Sequence, residues 1–180
     1  PFTYAKVHRE TEALIRDSGL AFTIMRDSYF SETMMAVAER ARNTGRVCHA
    51  AAEGRVAWCS RRDSARALAA IATGEGHDGK TYSLTGPATY SFRDVAAVLS
   101  EADGRNYPYE AASPADCAEH LRTTLPKVPS TVENWVGSAA AVKRGDFDLL
   151  TAHIKDLTGT APEDGMAFLR RELKAEKQKN

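Results

Sequence analysis

The chain has 180 residues, 43% of them hydrophobic, which suits one domain with a real core. Its 24 basic and 24 acidic residues cancel, arguing against a general nucleic-acid or acidic-membrane binder. No apolar run approaches the roughly 20 residues of a membrane span, and no charged-then-apolar signal segment opens the chain. Cys48, Cys59 and Cys117 are odd in number and widely spaced, so reduced cytoplasmic thiols are expected rather than a disulfide scaffold.

In chain order, Val7, Thr11, Leu14, Ile15 and Ser18 recur at helical spacing and predict a helix over residues 4–18, with Gly19 as its C-cap. Leu20 to Met25 is nearly all apolar and reads as a strand buried on both faces of a parallel sheet. A polar loop over residues 26–31 leads into a helix ending near Arg42. Two short strands are expected around Val47 and around Val56–Trp58, joined by a turn near Glu53-Gly54. Asp63 is the expected N-cap of an alanine-rich helix through Ile71. A strand over Lys80–Leu84 precedes a helix opened by the box Ser91-Phe-Arg-Asp94. A strand over Tyr107–Ala111 precedes a helix from Ser113-Pro114 to about Thr124. Two more helices are expected near Val132–Val142 and Glu163–Leu173, followed by a frayed tail from Lys174. This mixture of strands and helices makes the class α/β or α+β. Two sheet-centre strands are too few to cover and close a parallel sheet, which points to strands outside this sequence.

The run Gly74-Glu-Gly-His-Asp-Gly79 spells G-x-G-x-x-G, the form of a dinucleotide-binding turn. A pyrophosphate needs those glycines after a strand and before a helix, where backbone N–H groups face it. Here the order is reversed, and Glu75 and Asp78 would repel phosphate, so a helix C-cap and turn is the better reading. Tyr4, His8 and Glu12 fall on one helix face at i, i+4 and i+8. A phenol one turn from a cation-capable ring can serve proton donation to a developing oxyanion. The same spacing also suits an exposed histidine beside a packed tyrosine. His49, His77, His120 and His153 share no metal-ligand spacing. Glu10 and Glu12 suit a solvated helix face.

The pattern Tyr4-xxx-His8-xxx-Glu12 resembles the Tyr-xxx-Lys-xxx-Glu helix of extended short-chain dehydrogenases, with His in place of Lys. The longer run His8-Arg-Glu-Thr-Glu12, then Ser18-Gly-Leu-Ala-Phe-Thr-Ile-Met-Arg26, then Tyr29-Phe-Ser-Glu32, is more specific. It is similar to the atypical branch that includes NmrA-like proteins, NAD(P)H:quinone oxidoreductase type 2 and triphenylmethane reductase. Thr33 and Asp27 stand where that branch commonly has Asn. Val56–Ala65 and Gly79–Pro87 extend the likeness, which covers residues 3–112.

The resemblance implies the C-terminal part of a Rossmann-like doubly wound sheet plus a small α+β substrate-side lobe. Residues 1–44 would end the core; residues 45–180 would supply the rest of it and the substrate-binding lobe. The Gly-rich nucleotide-binding half is expected to lie outside this sequence. His8 and Tyr4 would be catalytic, with His8, Asp27, Ser28 and Tyr29 at the cofactor and Tyr29 and Phe30 at the substrate. The implied cofactor is NADP or NAD, with NADP favoured by the resemblance, and the implied partner is a small acceptor such as a quinone. The function implied is hydride transfer from NAD(P)H to that acceptor. The alternatives are a non-catalytic NmrA-like dinucleotide-binding sensor, or an inactive fragment. A homodimer or a retained N-terminal segment would complete the sheet.

Overall fold

The computed structural model describes residues 3–124 and 129–179. Helix α1 (Thr3–Asp17) precedes β1 (Ile24–Asp27), which pairs in parallel with β4 (Thr81–Leu84), Ile24 opposite Thr81 and Asp27 opposite Leu84. Between them come α2 (Thr33–Thr44), β2 (Val47–His49), β3 (Arg55–Val56) and α3 (Arg61–Thr73). After β4 follow β5 (Tyr90–Ser91), α4 (Phe92–Asp103), β6 (Tyr109–Ala111), α5 (Pro114–Thr124), α6 (Pro129–Lys143), α7 (His153–Thr158) and α8 (Gly165–Lys179).

The sheet is broken into pairs. Strand β2 runs parallel to β6 and β3 antiparallel to β5, so the strands around Val47 and Val56 are not partners despite the turn between them. The fold is α/β, with most strands short and the helices supplying the core. The largest apolar cluster joins α2, α4 and α8 to β2 and β3 around Met34, Val56, Trp58, Phe92, Leu99 and Leu169. A second cluster packs Ala50, Cys117 and Leu121 under α6, and a third packs Leu84 against Cys59, Ala67 of α3 and Ile154 of α7.

Several local readings hold and several are corrected. Ser91 and Asp94 form the reciprocal capping box of α4. Ser113 accepts from the Asp116 N–H ahead of Pro114 at the first position of α5. Helix α3, however, is capped by Ser60, whose Oγ accepts from the Asp63 N–H at 3.1 Å; Asp63 sits three residues inside and holds Ser60 in turn. The first sheet strand begins at Ile24, four residues later than its apolar run; ahead of it the run is tied to the β4 side by Gly79 N donating to Phe22 O at 2.7 Å. It is not buried on both faces, and burial fades along it: Ile24 is buried, Arg26 and Asp27 are exposed, and Leu20 ahead of it is 73% exposed. The tail is helical to Lys179, since Glu176 and Lys177 are tied to Arg42 and Asp103.

Helix α1 forms where its periodicity puts it, yet its apolar stripe faces outward. Val7, Leu14 and Ile15 are exposed, Leu14 by 72%. The helix is fastened by polar links instead. Arg26 donates to both Glu12 oxygens at 2.7 and 2.6 Å, and Arg16 donates to Thr81 Oγ1 at 2.9 Å. Glu12 is therefore an ion-pair partner of the strand, and Arg26 holds its carboxyl below the ordinary range.

Candidate active site

The C-terminal ends of β1 and β4 are where a parallel sheet leaves room for a ligand. The loop that follows β1 is pinned there by backbone hydrogen bonds. Ser28 N donates to Leu84 O at 3.0 Å, Cys59 N to Tyr29 O at 2.9 Å, and Ser31 N to Cys59 O at 3.0 Å. A parallel bridge between Phe30 and Cys59 continues the pattern. The loop is thus an irregular extension of the sheet edge, with its side chains set by that backbone.

Each side chain then finds its place. Asp27 Oδ1 accepts from Ser64 Oγ at 2.6 Å, tying the strand end to α3. The Tyr29 ring stacks on Phe147, centroids 4.7 Å apart. The Arg61 guanidinium lies over the Phe30 ring at 4.7 Å, and Glu32 accepts from Arg61 N at 3.1 Å. Three hydroxyls of this one loop, on Ser28, Tyr29 and Ser31, are buried with no hydrogen-bond partner among the described residues. Burial pushes the Tyr29 phenol up to about 12, partly offset by the nearby Ser138 hydroxyl, which donates to Trp135 O at 2.9 Å. Buried polar groups are normally satisfied, so three orphans in four residues set this loop apart among the described residues.

Tyr4 and His8 come together on α1, ring centroids 6.4 Å apart, both exposed, while Glu12 turns away to Arg26. Helix α1 packs against α6, which also carries Ser138 near Tyr29. Among the predicted residues, Asp27 and Phe30 contact protein partners, while Ser28 and Tyr29 carry buried hydroxyls without one among the described residues. Sequence reasoning did not single out Ser31, whose hydroxyl is wholly buried, or Phe147, the stacking partner. Neither carries a local signal, because burial and stacking both depend on a contact across the fold.

The glycine run falls between α3 and β4, where the Gly74 N–H caps the helix on Ala70 O and Gly76 and Gly79 take positive φ. It is a cap and turn, not a phosphate cradle. Among the described residues no group of three or more His, Cys, Asp or Glu is placed to hold a metal ion. Among them, too, no helix is long and apolar enough to cross a membrane.

No family model matches the chain. Quinone oxidoreductase 2 of Escherichia coli is 35% identical over 123 residues, covering 68% of this chain and 43% of that protein. The NAD(P)H azoreductase of Xenophilus azovorans is 33% identical over 102 residues, covering 57% of this chain and 36% of that protein. The crystal structure of the NADPH-dependent quinone oxidoreductase of Escherichia coli complexed with NADPH superposes with a TM-score of 0.89 at 28% identity, covering 96% of this chain and 60% of that one. The chain thus spans about half the length of the relatives it matches. It is homologous to quinone oxidoreductase 2 and the NmrA-like NAD(P)-dependent reductases, and it corresponds to their C-terminal part.

Proposed function

We propose that this chain supplies the nicotinamide and acceptor side of an NAD(P)H-dependent oxidoreductase that reduces quinone-like or related small acceptors. The observation that carries the reading is the set of orphaned hydroxyls on Ser28, Tyr29 and Ser31 at the C-terminal ends of a parallel strand pair. These atoms fit the polar edge of a nicotinamide or acceptor; the described residues offer no cradle for the phosphates. NADP is the favoured dinucleotide, because the E. coli relative is NADPH-dependent.

The bound dinucleotide supplies a hydride to the acceptor. The chain's own residues position the partners and exclude water. His8 would hydrogen-bond the nicotinamide ribose, and Asp27, Ser28 and Tyr29 would border the ring. The Tyr29–Phe147 stack and Phe30 give a flat acceptor an apolar seat. Reduction of a quinone to a hydroquinone needs a proton as well as the hydride; the exposed Tyr4 Oη, re-protonated from solvent, would deliver it.

The test is NADPH oxidation with a small quinone, using the chain extended to its relatives' length. Turnover is expected, and His8→Ala should lower kcat/KM by roughly tenfold or more. Dinucleotide binding without turnover of any quinone would replace the enzyme with a redox sensor.

A further inference from the structure

We propose that Arg40 of α2, whose guanidinium lies over the Trp135 ring of α6, anchors a binding site for a small organic carboxylate. The site goes beyond the oxidoreductase reading and does not depend on it.

Helix α2 buries Met34, Val37, Ala38 and Ala41, and Arg40 is buried among them, only 8% exposed. A buried arginine is ordinarily paired. The other basic residues nearby obey that rule: Arg42 is bound to Asp103 and Glu176, and Arg46 to Glu110 at 2.6 Å. Arg40 does not. Its head lies 4.7 Å from the centre of the Trp135 ring and donates no hydrogen bond to a described residue. No side chain outside the described residues is acidic. Glu39, next to it in sequence, is exposed and makes no ion pair with it. A ring face lowers the cost of that charge and cannot balance it.

The head can also be reached. The polar side-chain atoms that are both sealed and unpartnered, among the described residues, belong to Ser28, Tyr29, Ser31 and Arg66, not to Arg40. Its stem is therefore packed while its nitrogens still meet solvent. One turn along α6 from Trp135, the Ser138 hydroxyl donates to Trp135 O and lies near Tyr29, so the Arg40 site shares a wall with the candidate active site.

Charge and shape set the ligand class. Burial pushes the Cys117 thiol up and the His49 and His120 rings down, so these neighbours carry no charge at neutral pH. Arg46 is already engaged by Glu110. A single unpaired cation is left, which one negative charge balances and a phosphate dianion exceeds. A planar fork of N–H donors matches a planar carboxylate.

Benzoate is the probe, titrated at constant ionic strength. In proton–nitrogen spectra of this chain it should shift the Arg40 Nε–H and the Trp135 indole N–H saturably, leaving the indole of Trp58, sealed in the main core, unmoved. Benzamide, the neutral analogue, and inorganic phosphate should move neither. Arg40→Met should weaken benzoate binding by about tenfold or more, the worth of charge-assisted hydrogen bonds. It should also keep or raise the urea midpoint, because an unpaired buried cation gives way to an apolar chain of similar length. Benzoate should raise the midpoint of the unaltered chain and not that of Arg40→Met. Shifts that grow without saturating, or that phosphate or benzamide reproduce, overturn the proposal. So does a lowered midpoint for Arg40→Met, which would mean that the protein itself already balances this charge. No dinucleotide enters either measurement, so the site and the oxidoreductase reading stand or fall separately.

Discussion

The Tyr29 hydroxyl is buried without a partner, and its phenol is raised to about 12. A buried polar group left unpaired costs stability, and the proposed site would give it a partner only with a ligand bound. Tyr29→Phe is therefore expected to stabilise the chain by up to about 1 kcal/mol in chemical denaturation, while weakening acceptor binding in the extended protein. Loss of stability instead would mean that the hydroxyl has a partner in solution. His49 is the opposite case, a histidine committed to structure. It stacks on Phe92 at a centroid distance of 3.6 Å, and its Nδ1 accepts from Ala51 N at 3.2 Å. Burial, aided by the Arg40 charge, lowers it from 6.5 to about 3. Because the folded state disfavours the proton, His49 contributes stability above its unfolded value that is lost as pH falls from about 6.5 toward about 3. His49→Gln should flatten the fall of the urea midpoint across that window; an unchanged acid slope would assign the effect to carboxylates. Neither role was legible beforehand, since a lone tyrosine and a lone histidine read the same whether buried or exposed.

At the scale of elements, α3 and α8 are joined through one carboxylate. Asp63 is buried; its Oδ2 accepts from Ser60 Oγ at 2.8 Å and from Glu163 N at 2.8 Å, just ahead of α8. Asp63→Ala should cost about 2–3 kcal/mol, because it orphans the buried Ser60 hydroxyl and the Glu163 N–H together. Ser60→Ala should cost nearer 1 kcal/mol as a lost helix cap. The double variant should fall short of the sum, since both changes break one network; simple additivity in denaturant titrations would dissolve the supposed link between the helices. The sequence showed that a cap lies near residue 60 because serine and aspartate are both cap residues, but their order depended on which one the α8 entry reaches. Ser91 and Ser113 were legible in full, since their capping partners lie within three residues. Strand pairing was not, because β2 and β3 take partners about 60 and 35 residues away, at Tyr109 and Tyr90.

Across the whole molecule, apolar area is distributed unevenly. The side holding α2, α4 and α8 is packed around Trp58 and Leu169, while α1 and the segment leading to β1 carry Val7, Leu14, Ile15 and Leu20 in the open. The helical period of α1 could be read from its sequence; what its stripe packs on could not, because a period names a face and not its neighbour. Polar links to Arg26 and Thr81 fix the helix and leave that stripe available. Leu14 is thus a probe of context. In this chain Leu14→Glu should change stability by no more than about 0.5 kcal/mol, as at other surface positions. It should also reduce concentration-dependent association in light scattering, by removing exposed apolar surface. In a version extended to the length of the relatives, where a longer sheet would lie beside α1, the same change should cost about 1.5–3 kcal/mol, the value of a buried leucine. A small effect in both contexts would mean that the stripe stays in solvent throughout and that α1 is held without it, by its polar links and its contact with α6.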